Sequence, residues 1–87
     1  MTDLQRTIDA DPYRVVINLQ KEFDPAVSDK VIGYRASGII SRLDGKPVHK
    51  TFVRYTIPQG DVIADRADAM REGEGRARAA INGGFPD

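Results

Sequence analysis

The sequence predicts an α+β domain, a three-stranded antiparallel β-meander with a C-terminal helix packed on one face. Three observations carry that prediction. Apolar and polar residues alternate through 13–23, an Asp-Gly pair (Asp44-Gly45) separates two extended runs, and after residue 65 the apolar spacing becomes helical. Eighty-seven residues fit a single small domain, 1–87.

In residues 1–12, Leu4 and Ile8 stand four apart, the spacing of one side of a helical turn. Asp11-Pro12 would end such a turn, because the residue before proline is pushed out of the α region. A short N-terminal helix and a flexible arm fit this segment equally well.

The first strand is expected at 13–23, with Tyr13, Val15, Ile17 and Leu19 on one side and Arg14, Asn18 and Gln20 on the other. Asp24-Pro25-Ala26-Val27-Ser28-Asp29 has the composition of a turn. The next two strands are expected at 31–43 and 48–57. A two-residue type I′ loop at Asp44-Gly45 would place Leu43 opposite Lys46. That register pairs Ile32 with Ile57, Tyr34 with Tyr55, Ala36 with Val53, Gly38 with Thr51 and Ile40 with His49, almost all apolar and all on one face. Residues 61–64 fit either a fourth short strand or the first turn of the helix.

Ala67, Met70, Ala77 and Ile81 recur at helical spacing, with Ala80 alongside. Asp65 is the expected N-cap and Asp68 suits the positive end of the helix dipole. Asn82-Gly83-Gly84 supplies the stop. Gly73 and Gly75 interrupt the pattern, marking either a kink or a close approach of helix to sheet.

Composition narrows the function classes. There is no cysteine, so disulfides, thiolate nucleophiles and cysteine-ligated metals are excluded. Thirteen basic residues balance thirteen acidic ones, which argues against a surface wholly devoted to nucleic acid. The start lacks the basic and apolar regions of a signal peptide, and no apolar run is long enough for a membrane span. A cytoplasmic protein without membrane contact is the expectation.

The predicted register also defines the sheet face away from the helix. Arg35 would face Arg54, Ser37 Phe52, Ile39 Lys50 and Ser41 Val48, with Arg14, Val16, Asn18 and Gln20 added by the first strand. Like charges directly opposite are destabilising, so Arg35 and Arg54 call for an anion, either Glu22 or an external ligand. Phe52, Ile39 and Val16 would form an apolar patch on a face that ought to be polar. A second copy of the chain, a protein partner or the chain's own N-terminal residues would cover it.

Other chemistry is weaker. His49 is the one histidine, without a nucleophile or orienting acid nearby in sequence, and reads as an ordinary surface residue. Asp61, Asp65 and Asp68 lack the spacing of a calcium loop and read as capping and dipole compensation. Gly73-Glu74-Gly75-Arg76 lacks the lysine and hydroxyl of a phosphate loop. No catalytic residue, cofactor or metal site is predicted.

Gly45-Lys46-Pro47-Val48-His49-Lys50-Thr51-Phe52 resembles the start of the second strand in double-stranded-RNA-binding domains, where a histidine precedes a threonine-phenylalanine pair. Gly73-Glu74-Gly75-Arg76-Ala77 resembles the approach to that family's second helix. The resemblance covers these two pieces alone and implies a shared order of helix, three strands and helix, not membership.

The expected function is therefore that of a small non-enzymatic interaction protein, self-associating as a homodimer or binding a protein partner through the open sheet face. The contact residues would be Arg35, Arg54 and Phe52, with Val16, Ile39, Lys50 and Arg14 around them. The alternative is a nucleic-acid or anion-binding module in which the arginines and Lys50 meet phosphates and Phe52 stacks on a base.

Overall fold

The computed structural model describes residues 4–85. Four strands, β1 (Gln5–Ala10), β2 (Tyr13–Phe23), β3 (Val31–Arg42) and β4 (Arg54–Ile57), precede one helix, α1 (Arg66–Asn82). The strands form one antiparallel sheet in the order β1-β2-β3-β4. The α+β class and the C-terminal helix agree with the sequence reading, but the sheet has four strands and none of the described N-terminal residues is helical. Among the described residues a strand stands where the RNA-binding resemblance implied a first helix.

The N-terminal correction has a simple origin. A four-residue spacing of Leu4 and Ile8 fits a strand face as well as a helix face, since four is also a multiple of two. Asp11-Pro12 is the loop of a hairpin in which Ala10 pairs with Tyr13, and its peptide bond is cis. Ile8 of β1 and Leu4 just before it pack against the core.

β2 and its turn follow expectation. Asp24 N–H donates to Lys30 O at 2.8 Å, and Asp24 Oδ1 accepts from Ala26 N–H at 2.8 Å. Val15, Ile17 and Leu19 are buried beneath the helix, together with Ala36 and Ile40 of β3 and Ile57 of β4.

The third predicted strand, 48–57, is cut to Arg54–Ile57, and its register differs. Gly38 pairs with Ile57, Ile39 with Thr56, Ile40 with Tyr55 and Ser41 with Arg54. Tyr55 thus lies opposite Ile40 instead of Tyr34, a slip of six residues along β3. The reason lies in the backbone. Leu43 N–H donates to Pro12 O at 2.9 Å, so its hydrogen-bonding groups face β2 and cannot pair with Lys46. Gly45, at φ 78°, does turn the chain, donating to Arg42 O at 3.2 Å. Continuing from that bond, the next donor toward Ile40 would be residue 47, a proline with no N–H. The chain leaves the sheet and returns only at Arg54, after a second tight turn where Phe52 N–H meets His49 O at 2.8 Å. Because the slip is even, each β4 residue keeps its predicted face.

Residues 61–64 are neither strand nor helix, although Ile63 forms a two-hydrogen-bond bridge with Tyr34 at 2.8 and 2.9 Å. Asp65 caps the helix, its carboxylate accepting from Asp68 N–H at 3.0 Å. Gly83 N–H closes the other end on Ala79 O, and Phe85 N–H on Ala80 O, both at 2.8 Å.

The two helix glycines do different things. A Cβ on Gly73 would stand 2.9 Å from Ile17 Cγ2 and 3.0 Å from Ala36 Cβ, so Gly73 lets α1 settle directly on β2 and β3. Gly75 faces open space. Gly75→Ala is therefore expected to raise the unfolding free energy by about 0.5–1 kcal/mol through helix propensity, read as a higher urea midpoint. An unchanged midpoint would mean this turn of the helix does not form in solution.

Candidate functional site: the open sheet face

The helix covers β2 and β3 from one side, and among the described residues no helix or strand packs on the opposite side of the sheet. The radius of gyration, 14.1 Å, exceeds the value of about 12 Å for a compact domain of this length, as expected of a single layer with one face bare. That face is organised in rows across the strands. One row reads Asp9, Arg14, Ser41, Arg54; the next reads Thr7, Val16, Ile39, Thr56; a third reads Gln5, Asn18, Ser37. At the far end Gln20 lies opposite Arg35.

Val16 and Ile39 are direct cross-strand partners at the centre of this face, Ile39 being 36% exposed. Around them are hydroxyl and amide side chains. The pair was legible in the sequence and is in place.

Most charges on and beside this face are already matched. Asp9 accepts from Arg14 Nε at 2.9 Å, and this hydrogen bond holds the Asp9 carboxyl below its usual range. Arg35 Nε lies 3.3 Å from Glu22 Oε2 and its Nη1 donates to Gly60 O at 2.9 Å. Next to the face, Arg42 grips Asp44 through Nε at 3.0 Å and Nη2 at 2.9 Å. That bond, with the Lys46 N–H, keeps Asp44 ionised far below the ordinary carboxylate range. Arg54 is the exception. It is exposed, lies between Ser41 and the sheet edge, and pairs with no carboxylate among the described residues.

The expected Arg35–Arg54 opposition is corrected by the register. Arg54 faces Ser41, six residues along β3 from Arg35, a separation of about 20 Å at the usual strand rise. The anion that Arg35 called for is Glu22. Phe52 is not on the sheet face either; it sits in the loop after β3, 58% exposed, beside Val53. Lys50 occupies the tip of the same loop, at φ 52°. Val48, expected opposite Ser41, turns into the core. Of the seven residues singled out from sequence, Arg14, Val16, Ile39, Arg35 and Arg54 share the open face, while Lys50 and Phe52 belong to the loop.

Sequence reading missed Asp9, Thr7, Gln5 and Thr56. The first three were hidden because β1 was not recognised; the alternation of Leu4, Arg6, Ile8 and Ala10 with Gln5, Thr7 and Asp9 was the available signal. It also missed Phe85, which lies 4% exposed among Tyr13, Tyr55 and His49.

Other concavities lie on the helix side. A groove of about 290 Å³ runs between β4 and α1, lined by Tyr55, Ile57, Pro58, Ala79 and Ala80, with Arg76 at its wall. Arg76 is committed there, its guanidinium reaching Ala36 O, Pro58 O and the Glu72 carboxylate. Among the described residues, no group of three or more histidines or carboxylates is arranged to hold a metal ion, and no helix is long and apolar enough to cross a membrane. No family model, curated protein or solved structure matches the chain.

Proposed function

We propose that this is a non-enzymatic interaction protein that self-associates by burying its open sheet face. The observation that carries the reading is the Val16–Ile39 pair, two aliphatic side chains side by side at the centre of an uncovered sheet. A face made to meet only water alternates toward polar residues at such positions, and burial of both side chains is the driving force for covering them. The neutral hydroxyls and amides around the pair, and the charges beyond, matched internally except at Arg54, suit a protein surface better than a polyanion. With Arg35 tied to Glu22 and Lys50 and Phe52 displaced to the loop, the basic and aromatic groups of the nucleic-acid alternative are not gathered in one place.

Light scattering on nuclease-treated protein tests this. The wild-type chain is expected to run as a dimer at low and high salt, and Val16→Glu or Ile39→Glu as a folded monomer. Those positions are partly exposed, so each variant should keep its helical and sheet circular dichroism. A wild-type monomer, or a dimer indifferent to both substitutions, would overturn the reading. Nucleic acid that co-purifies and is stripped by salt would replace it with a binding module using Arg14, Arg35 and Arg54.

A further inference from the structure

Resting on the reading of the open face as a self-association surface, the geometry points to one specific arrangement: a face-to-face dimer about a two-fold axis parallel to the strands, midway between β2 and β3. The rows of the open face decide this. A rotation about that axis keeps position along the strands and exchanges left for right, so each row meets its own reverse. Asp9, Arg14, Ser41, Arg54 then lies against Arg54, Ser41, Arg14, Asp9 of the second copy. Thr7, Val16, Ile39, Thr56 lies against Thr56, Ile39, Val16, Thr7.

The match is chemical as well as geometric. Arg54, which has no carboxylate partner among the described residues, lands over Asp9 of the second copy, and the symmetry makes that pair twice. Asp9 keeps its Arg14 contact, since an ionised carboxylate has about four acceptor sites. Val16 packs on Ile39 of the second copy at the centre, and threonine meets threonine beside them. Packed sheets stand about 10 Å apart, a gap that a long arginine and an aspartate span together. A two-fold axis running across the strands would leave β4 over β4, with Arg54 on the edge opposite Asp9. Charge complementarity therefore selects the strand-parallel axis and a second copy as the occupant.

The test is a charge exchange read by sedimentation or light scattering. Asp9→Arg alone and Arg54→Asp alone each create two like-charge pairs across the interface, and each is expected to raise the dimer dissociation constant at least tenfold. An equimolar mixture of the two variants restores an opposite-charge pair at both positions, so a heterodimer should form with close to wild-type affinity. The doubly exchanged chain Asp9→Arg/Arg54→Asp should dimerise alone. If Val16→Glu dissociates the dimer but the mixture shows no recovery, the open face is the interface and this orientation is wrong. If the wild-type chain is monomeric, or Val16→Glu leaves the dimer intact, the self-association reading itself fails and this orientation with it.

Discussion

Phe85→Ala is expected to lower the unfolding free energy by about 3–5 kcal/mol, the usual loss when a buried phenylalanine is truncated. Phe85 lies beyond the helix, past two glycines, yet it is only 4% exposed. Its ring meets Tyr13 edge-on at 5.2 Å, Tyr55 at 5.3 Å and His49 at 6.4 Å between centroids. It thereby joins β2, β4 and the β3–β4 loop to the end of α1. The backbone there is unusual, with φ 75° at Gly84 and 59° at Phe85. A non-glycine residue in the left-handed region costs on the order of 1 kcal/mol, so the aromatic contacts must outweigh that cost. Alanine keeps the backbone cost and loses the contacts. Urea unfolding followed by far-ultraviolet circular dichroism measures the effect. A loss under about 1 kcal/mol would show that the chain end is not docked in solution.

Ile17→Ala should cost about 2–5 kcal/mol for a related reason, and its coupling to Gly73 makes it diagnostic. Ile17 is fully buried, and two glycines make room for it: Gly73 from the helix and Gly38 from β3. A Cβ at Gly38 would stand 3.0 Å from Ile17 Cδ1, and one at Gly73 2.9 Å from Ile17 Cγ2. In the wild-type chain, Gly73→Ala gains helix propensity but drives a methyl into Ile17, a net loss of roughly 1–2 kcal/mol. In the Ile17→Ala background only the 3.0 Å approach to Ala36 Cβ remains, so the propensity gain of about 1 kcal/mol is expected to offset most of what is left of the clash. The same substitution should therefore cost clearly less in the Ile17→Ala background than in the wild-type chain. A double-mutant cycle on urea midpoints measures it, and simple additivity would mean that the helix does not rest on Ile17.

Much of the fold was legible because the responsible signals are local. The alternation of Val15, Ile17 and Leu19 marks β2 and its buried side without reference to anything distant. Asp65 and Gly83 bracket α1 through bonds within a few residues. The even slip of β4 left its faces as predicted, so the division between covered and open sides of the sheet was readable even where the pairing was not.

What depended on distant contacts was not. β1 exists because Gln5–Ala10 finds β2 as a partner, and a spacing of four serves both helix and strand. Asp44-Gly45 forms a turn, but whether that turn joins two adjacent strand ends depends on which neighbour Leu43 faces, and Pro12, far back in the chain, decides that. The candidate site followed the same division. Val16 and Ile39 were placed by their own strands, whereas the partners of Arg35 and Arg54 changed with the register.

The amino-acid sequence by itself determined the class of fold, the limits of β2 and β3 to within a residue, the stop of α1, and which side of β2, β3 and β4 is apolar, since periodicity and end-capping act over a few residues. Only the tertiary structure decided which residues lie across from one another. Hydrogen-bond direction along β3 is shared between two neighbouring strands and cannot be assigned from either one alone.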